Sequence, residues 1–365
     1  MVADPEGAAD AVRHLVAEAR RAGDQRALVA ALRAEAWLER SRLAHDRAIA
    51  LLDEAVRTAR RRQLQPQWRE ALVTRGAVRQ ELGRTGAAQR DLTKAAAFLG
   101  DDVDVELEHQ QATLHQNSGR VAKAAEAYRR ILAAPGASAE VRAKAANNLG
   151  VIEVQSGRLD VGLGLFELAT EEVGKVGPGL AAAIAEGRAW ATVRAGRLSE
   201  GLALFDEAAA MWTAVGWPLG ELYIEYAEAL TDLRLIPEAR REAQRAVTML
   251  DGSGIALMAA EAKVRAAQLA LLAGDLVAAG EQAAAAATAL RRQGRASWAA
   301  RARVIAIDAA LAGQRATPQD LATVRRAAGV LERSGLVAEA VDAHLTAGRV
   351  AAAVGRATAA QASWD

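Results

Sequence analysis

Residues 144–172 read KAANNLGVIEVQSGRLDVGLGLFELATEE, and their reading decides the fold. Leu149-Gly150 lies in one run of helix formers, Gly157-Arg158-Leu159 interrupts it, and a second run carries Gly162, Phe166 and Ala169. Two helices joined by a tight turn fit this order. A Gly at the end of the first helix can take the left-handed conformation that stops it. Small residues such as Gly150 let adjacent helices approach closely, and Phe166 fills the space between one hairpin and the next. Each helix is roughly 15 residues, hence about 22 Å long.

The same frame fits outward in both directions. Gly83, Gly119, Gly157, Gly196, Arg234, Gly274, Gly313 and Gly355 fall at equivalent turns, with gaps of 36 to 42 residues. After the turns come Ala124 with Tyr128, Gly162 with Phe166, and Gly201 with Phe205, while an earlier unit is readable at Ala48, Leu52 and Ala55. Gly76, Ala112, Ala189, Ala227 and Ala267 are the small residues matching Gly150. Pro66, Pro135, Pro178 and Pro218 lie between hairpins, and Pro5 is assigned to a loose N-terminus. Pro237 and Pro318 open second helices, where a missing N–H costs nothing. Thr317-Pro318-Gln319-Asp320 reads as a cap followed by a first turn.

This pattern resembles the tetratricopeptide repeat: Leu-Gly in the first helix, a small residue opening the second, an aromatic four residues on and an Ala three after that. The expected fold is all-α, a tetratricopeptide-like helical-hairpin solenoid of about eight to nine repeats, which the resemblance makes a right-handed superhelix. One repeat array is expected over 1–365. Its hairpins fall near 12–62, 66–100, 103–134, 138–174, 178–215, 218–251, 255–293, 296–334 and an incomplete 337–365. The units are nearer 39 than 34 residues, and Ala146 and Glu153 stand where Trp and Tyr are usual, so the array is divergent. The ninth unit's second helix is expected near Thr358, with Trp364 matching Phe166, and the stop at Asp365 reads as a fragment of a longer protein.

Composition agrees with helices and excludes several functions. Ala makes up about a quarter of the chain and aromatics 4%; Ala, Leu, Arg and Glu lose little side-chain freedom in a helix. Net charge is +1, so no global field draws the chain to nucleic acid or membrane. With no Cys, disulfides and thiolate chemistry are excluded within it. There is no signal-peptide pattern and no apolar run of about eighteen residues, so a cytoplasmic location is the default. No phosphate loop or metal motif stands out; the five His residues (14, 45, 109, 115 and 344) are scattered. No catalytic residue, cofactor or metal is expected. Basic groups at Arg60-Arg61-Arg62 and at Arg291, Arg292 and Arg295 read as helix-end cations favoured by the dipole, and without interleaved aromatics they do not point to nucleic acid.

Residues 216–313 carry a more specific likeness. Gly216-Trp217-Pro218-Leu219-Gly220-Glu221-Leu222, Leu233-Arg234-Leu235-Ile236-Pro237-Glu238-Ala239, Gly274-Asp275-Leu276 and Trp298-Ala299-Ala300-Arg301-Ala302-Arg303 resemble the repeat region of actinobacterial CHAT-domain proteins, which join such repeats to a caspase-like peptidase. The resemblance implies a sensor or recruitment arm of a protease. The His and Cys pair of that peptidase is absent from this chain.

First helices of such hairpins line the inside of a superhelix, so their exposed stripe is the expected binding groove. The fourth unit presents Lys144, Asn147, Val151, Val154 and Gln155; Lys144 could pair a carboxylate and Asn147 could bond a peptide backbone, or both could be solvated and locally satisfied. The third presents Glu106, His109, Thr113, Gln116 and Asn117, with His109 read as a solvated surface residue. In the sixth, Glu221, Glu225, Glu228 and Asp232 share one helix face at spacings of four, three and four. Their repulsion needs relief from Arg194 of the preceding unit or from a basic ligand. Glu228→Ala with Asp232→Ala is then expected to weaken partner binding without lowering stability. The occupant expected is a protein or peptide, with the chain's own C-terminal peptidase domain among the possibilities. The function expected is a binding scaffold. Two other readings stay open: the repeat region of a large transcriptional regulator, and a freestanding peptide-sensing repeat protein.

Overall fold

The computed structural model describes residues 5–97, 104–172, 174 and 177–356. Among them it is entirely helical, a repeat solenoid without strands. The helices are α1 (Pro5–Ala22), α2 (Gln25–Ser41), α3 (His45–Arg61), α4 (Gln65–Glu81), α5 (Thr85–Ala96), α6 (Val105–Asn117), α7 (Val121–Ala133), α8 (Ala139–Gln155) and α9 (Leu159–Glu171). They continue as α10 (Pro178–Arg194), α11 (Leu198–Val215), α12 (Gly220–Asp232), α13 (Ile236–Asp251), α14 (Ala256–Leu272), α15 (Leu276–Arg292), α16 (Ala296–Ala312), α17 (Pro318–Arg333) and α18 (Val337–Ala353). From α2 to α17 they pair as successive hairpins.

Local chemistry sets the boundaries. Asp24, Asp104, Ser138 and Asp275 accept first-turn N–H groups, and Thr317 with Asp320 forms a full capping box. Gly157 turns the chain at φ 79°, and Arg234 holds the same left-handed turn at φ 62°, a conformation costly for a side-chain-bearing residue. Gly313 does not: it keeps a negative φ and Gln314 takes the left-handed place at φ 53°, one residue later than the frame predicts. Pro5 is likewise not in a loose segment but opens α1. The interval 12–62 holds three helical stretches: Gly23, at φ 69°, and the Asp24 cap separate α1 from the α2–α3 hairpin. Thr358 and Trp364 lie outside the described residues, as do residues 98–103, where a hairpin boundary falls.

Packing follows the small-and-large pattern. A Cβ on Gly162 would sit 2.4 Å from Val154, and one on Gly187 would sit 2.5 Å from the Phe166 ring, so both backbones pack at a distance only glycine allows. Tyr128, Phe166 and Phe205 are buried. Glu153, in the place of the usual aromatic, is buried too, bonded by Arg129 (2.6 Å) and Arg158. There is no single central core but a series of small ones, each shared by neighbouring units.

Even-numbered helices touch the next even-numbered helix along the array, whereas odd-numbered ones are not comparably close among the described residues. The even helices therefore form the crowded inner wall of a curved ribbon, and the odd helices splay outside. After about five repeats the ribbon meets its own edge. α14 touches α4, Gln293 abuts Gly83, and Gly254 abuts His45. The concave groove is thus closed into a channel.

Candidate functional site

The channel wall is built from the stripe that the repeat frame marks on α2, α4, α6, α8, α10, α12 and α14. Along α2 to α8 its charges are satisfied within the protein. Lys144 bonds Glu140 at 2.8 Å and lies 3.9 Å from Glu106, so its ammonium is already paired. Glu106 and Lys144 line a cleft of about 830 Å³ together with Trp37 and Glu70. The Asn117 side chain reaches Gln80 at 3.4 Å. Gln155 is exposed. Asn147 bonds Asn148 at 3.4 Å, and its Oδ1 is buried without a partner.

His109 is not solvated, as the sequence reading had it. It is buried against Tyr128, with ring centroids 5.8 Å apart, and Asn148 lies 3.5 Å from its Nε2. Burial, and secondarily the charge of Lys144, pushes its pKa down to about 3. The ring is neutral in ordinary conditions and belongs to a buried polar network with Thr113, Gln116, Tyr128 and Asn148.

The wall differs along α10, α12 and α14. Arg194 reaches Glu228 at 3.6 Å and Asp232 at 3.5 Å, and Arg265 of α14 bonds Glu228 at 2.9 Å. The lower half of the α12 ladder is therefore neutralised by arginines from both adjacent units. The upper half is not. Among the described residues no cation pairs with Glu221 or Glu225. Glu186, one repeat after Asn147, joins them from α10. It is 3% exposed; one of its oxygens accepts the Trp212 indole N–H at 2.6 Å, and its Oε1 has no partner. Oε2 of Glu225 is likewise buried and unpartnered.

Burial and neighbouring carboxylates perturb all three. Glu221 and Glu225 keep some exposed surface but lie deep in the protein mass. Burial, then the charges of Glu261 and Glu81, raises Glu221 to about 7. Burial first, then neighbouring carboxylates, pushes Glu225 and Glu186 well above the usual range. Glu81 behaves oppositely: despite its burial, Arg40 (2.8 and 3.0 Å) and His45 pull its pKa down.

Arg295, read from sequence as a helix-end cation, is instead the largest fully buried side chain. It donates to Asn117 O (2.9 Å), Leu257 O (3.3 Å) and Glu261, tying α6 to α14 across the channel seam. The seam also brings Arg40 to 5.7 Å from the Trp217 ring. The spacing on α12 marked the ladder in the sequence. Extending the frame from Asn147 by one repeat was the signal that could have found Glu186.

Among the described residues no group of three or more His, Asp or Glu has a metal-holding arrangement, and no helix is long and apolar enough to cross a membrane. No protein-family model matches the chain, and no curated protein is significantly similar to it in sequence. Solved structures do match in fold. A Rap protein complexed with competence and sporulation factor aligns over 92% of this chain and 95% of its own, at TM-score 0.68 and 12% identity. Aspartyl phosphate phosphatase F from Bacillus subtilis aligns over 90% of each chain, at TM-score 0.52 and 12% identity. A signal transduction ATPase with numerous domains and a tetratricopeptide repeat sensor, from Pyrococcus horikoshii, aligns at TM-score 0.54 and 12% identity; the match covers 89% of this chain and 52% of that one. At these identities the likeness is one of fold.

Proposed function

We propose that the chain is a non-catalytic scaffold that binds a polypeptide segment of a protein partner inside its channel, and that it serves as the sensor or recruitment arm of a CHAT-type protease. The observation that carries the binding reading is the unneutralised carboxyl group cluster on the inner wall, Glu186 with Glu221 and Glu225. Buried charges are ordinarily paired, because leaving water without a partner is costly, so an unpaired cluster at a concavity marks a place for an outside cation. A segment carrying Lys or Arg has that chemistry. The fold neighbours support the same reading at a coarser level: one is a complex with competence and sporulation factor and another carries a tetratricopeptide repeat sensor.

The protease arm rests on the likeness of residues 216–313 quoted above. Selection of a displayed peptide library on the purified chain tests the binding reading. Enrichment of basic sequences, lost when Glu221 and Glu225 are both changed to Lys, is the expected result; enrichment that survives the charge reversal places binding elsewhere. The reading frame around the chain tests the protease arm. A downstream His and Cys peptidase is expected, whereas an upstream helix-turn-helix makes it part of a transcriptional regulator.

A further inference from the structure

The carboxyls of the inner wall fall into two sets. Those at the margin each have an arginine of their own: Glu228 has Arg194 and Arg265, Glu261 has Arg295, and Glu81 has Arg40. His45 also faces Glu81, and Arg301 of α16 stands near Arg265, Glu228 and Glu261. The three at the centre have none among the described residues. Glu186 supplies an observation independent of the ladder on α12. It comes from α10, which packs on α12, is nearly fully buried, and carries an oxygen without a partner. One turn further along the same face of α10, the Trp190 indole N–H is also buried and unpartnered.

We infer that Glu186, Glu221 and Glu225 form a receptor for a single basic side chain, ammonium or guanidinium, of a bound polypeptide. This rests on the reading of the channel as a peptide site. The chemistry follows from the neighbours. An empty centre cannot keep three adjacent anions in a poorly solvated place, so it holds protons near neutrality. An arriving cation stabilises the ionised forms, and each carboxyl that ionises releases its proton to bulk water. Nothing is oxidised and no covalent bond other than O–H changes. The unpartnered Trp190 N–H is a donor that a peptide carbonyl could accept from and a bare cation could not. The marginal arginines narrow the specificity: they repel a second cation and so limit entry to one basic side chain.

The test uses the full chain and a peptide set drawn from the displayed-library selection, identical except for Lys, Arg, Gln or Glu at one position. Titration calorimetry is run at about pH 6 and about pH 8, in buffers of different ionisation enthalpy. For the Lys and Arg peptides, affinity is expected to rise roughly tenfold or more over that range with net proton release, because the cation site is then already ionised. The Gln peptide should show neither. Glu225→Gln should lower both the proton count and the pH dependence for the Lys peptide. Glu186→Gln is the second variant, and each is first checked for an unaltered helical spectrum. Equal pH dependence for Lys and Gln peptides, or binding without proton exchange, overturns the inference while the peptide-channel reading stands. Failure of every peptide to bind overturns both.

Discussion

The inner wall along α4 to α8 and the inner wall along α10 to α14 are built on one frame yet end in opposite electrostatic states. In the first, Lys144 has Glu140, Glu81 has Arg40, and His109 is held neutral in a polar network. In the second, the ladder on α12 is neutralised at Glu228 and Asp232 and left bare at Glu221 and Glu225, with Glu186 added from the side. The difference lies in the neighbouring unit. Apart from Lys144, which Glu140 of its own helix satisfies, a charged wall residue is paired by what stands one repeat before or after it, so the same position can be structural in one unit and available in another.

The largest tests of that contrast remove paired carboxylates. Asp91, buried between Arg75 and Arg79 at 2.7 and 2.5 Å, represents the paired kind. Asp91→Ala should cost about 3 kcal/mol in denaturant unfolding, because two partly buried guanidinium groups lose their buried counter-charge and keep only the more exposed Asp53. Next comes Glu228→Ala, which leaves Arg265 inside the wall with its closest carboxylate gone. A loss of about 1–3 kcal/mol is expected. The expectation from sequence was that Glu228→Ala with Asp232→Ala leaves stability unlowered; the Arg265 pair argues against it, and an unchanged unfolding midpoint would restore it.

How much of this was legible in the sequence depends on the range of the interaction. Turns, caps and small-to-large contacts are local, and Gly157, Thr317 and Phe166 announced them. The α12 ladder was legible for the same reason, since four acids at helical spacing lie within one element. His109 was misread because its burial is made by Tyr128 and Asn148 from other helices. Glu186 is a lone acid in α10, and only its position in the repeat gives it meaning. Arg295 was least legible: its partner Asn117 lies 178 residues away, a contact that depends on the curvature of the whole ribbon.

The unpaired carboxyls make the opposite prediction from Asp91. Glu221→Gln should stabilise the free chain above about pH 8, by about 1 kcal/mol, since channel water screens part of the repulsion. The sign follows from linkage. A carboxyl raised to about 7 holds a proton in the folded state that the unfolded chain has already lost. Stability therefore falls as pH rises from the ordinary carboxylate range through about 7. Glu81, lowered by Arg40 and His45, acts the other way and loses its contribution only in acid. Thermal unfolding at about pH 5.5 and about pH 8 should show a lower midpoint at the higher pH, and Glu221→Gln should shrink the gap. An unchanged gap in Glu221→Gln would remove this carboxyl from the unneutralised set.

The smallest effect is the sharpest check on the first region. Lys144 is bonded to Glu140 one turn away on the same helix, with side chains 27% and 56% exposed. Such a pair contributes about 0.3–0.5 kcal/mol, so Lys144→Ala should barely move the unfolding midpoint. The charge of Lys144 is also the secondary cause that keeps His109 neutral, but burial is the first. In Lys144→Ala, His109 should therefore remain unprotonated across the neutral range when its ring is followed by nuclear magnetic resonance. A ring that begins to titrate there would mean that charge, and not burial in the Tyr128 network, holds this part of the wall neutral, and the two regions would then differ by one lysine instead of by their packing.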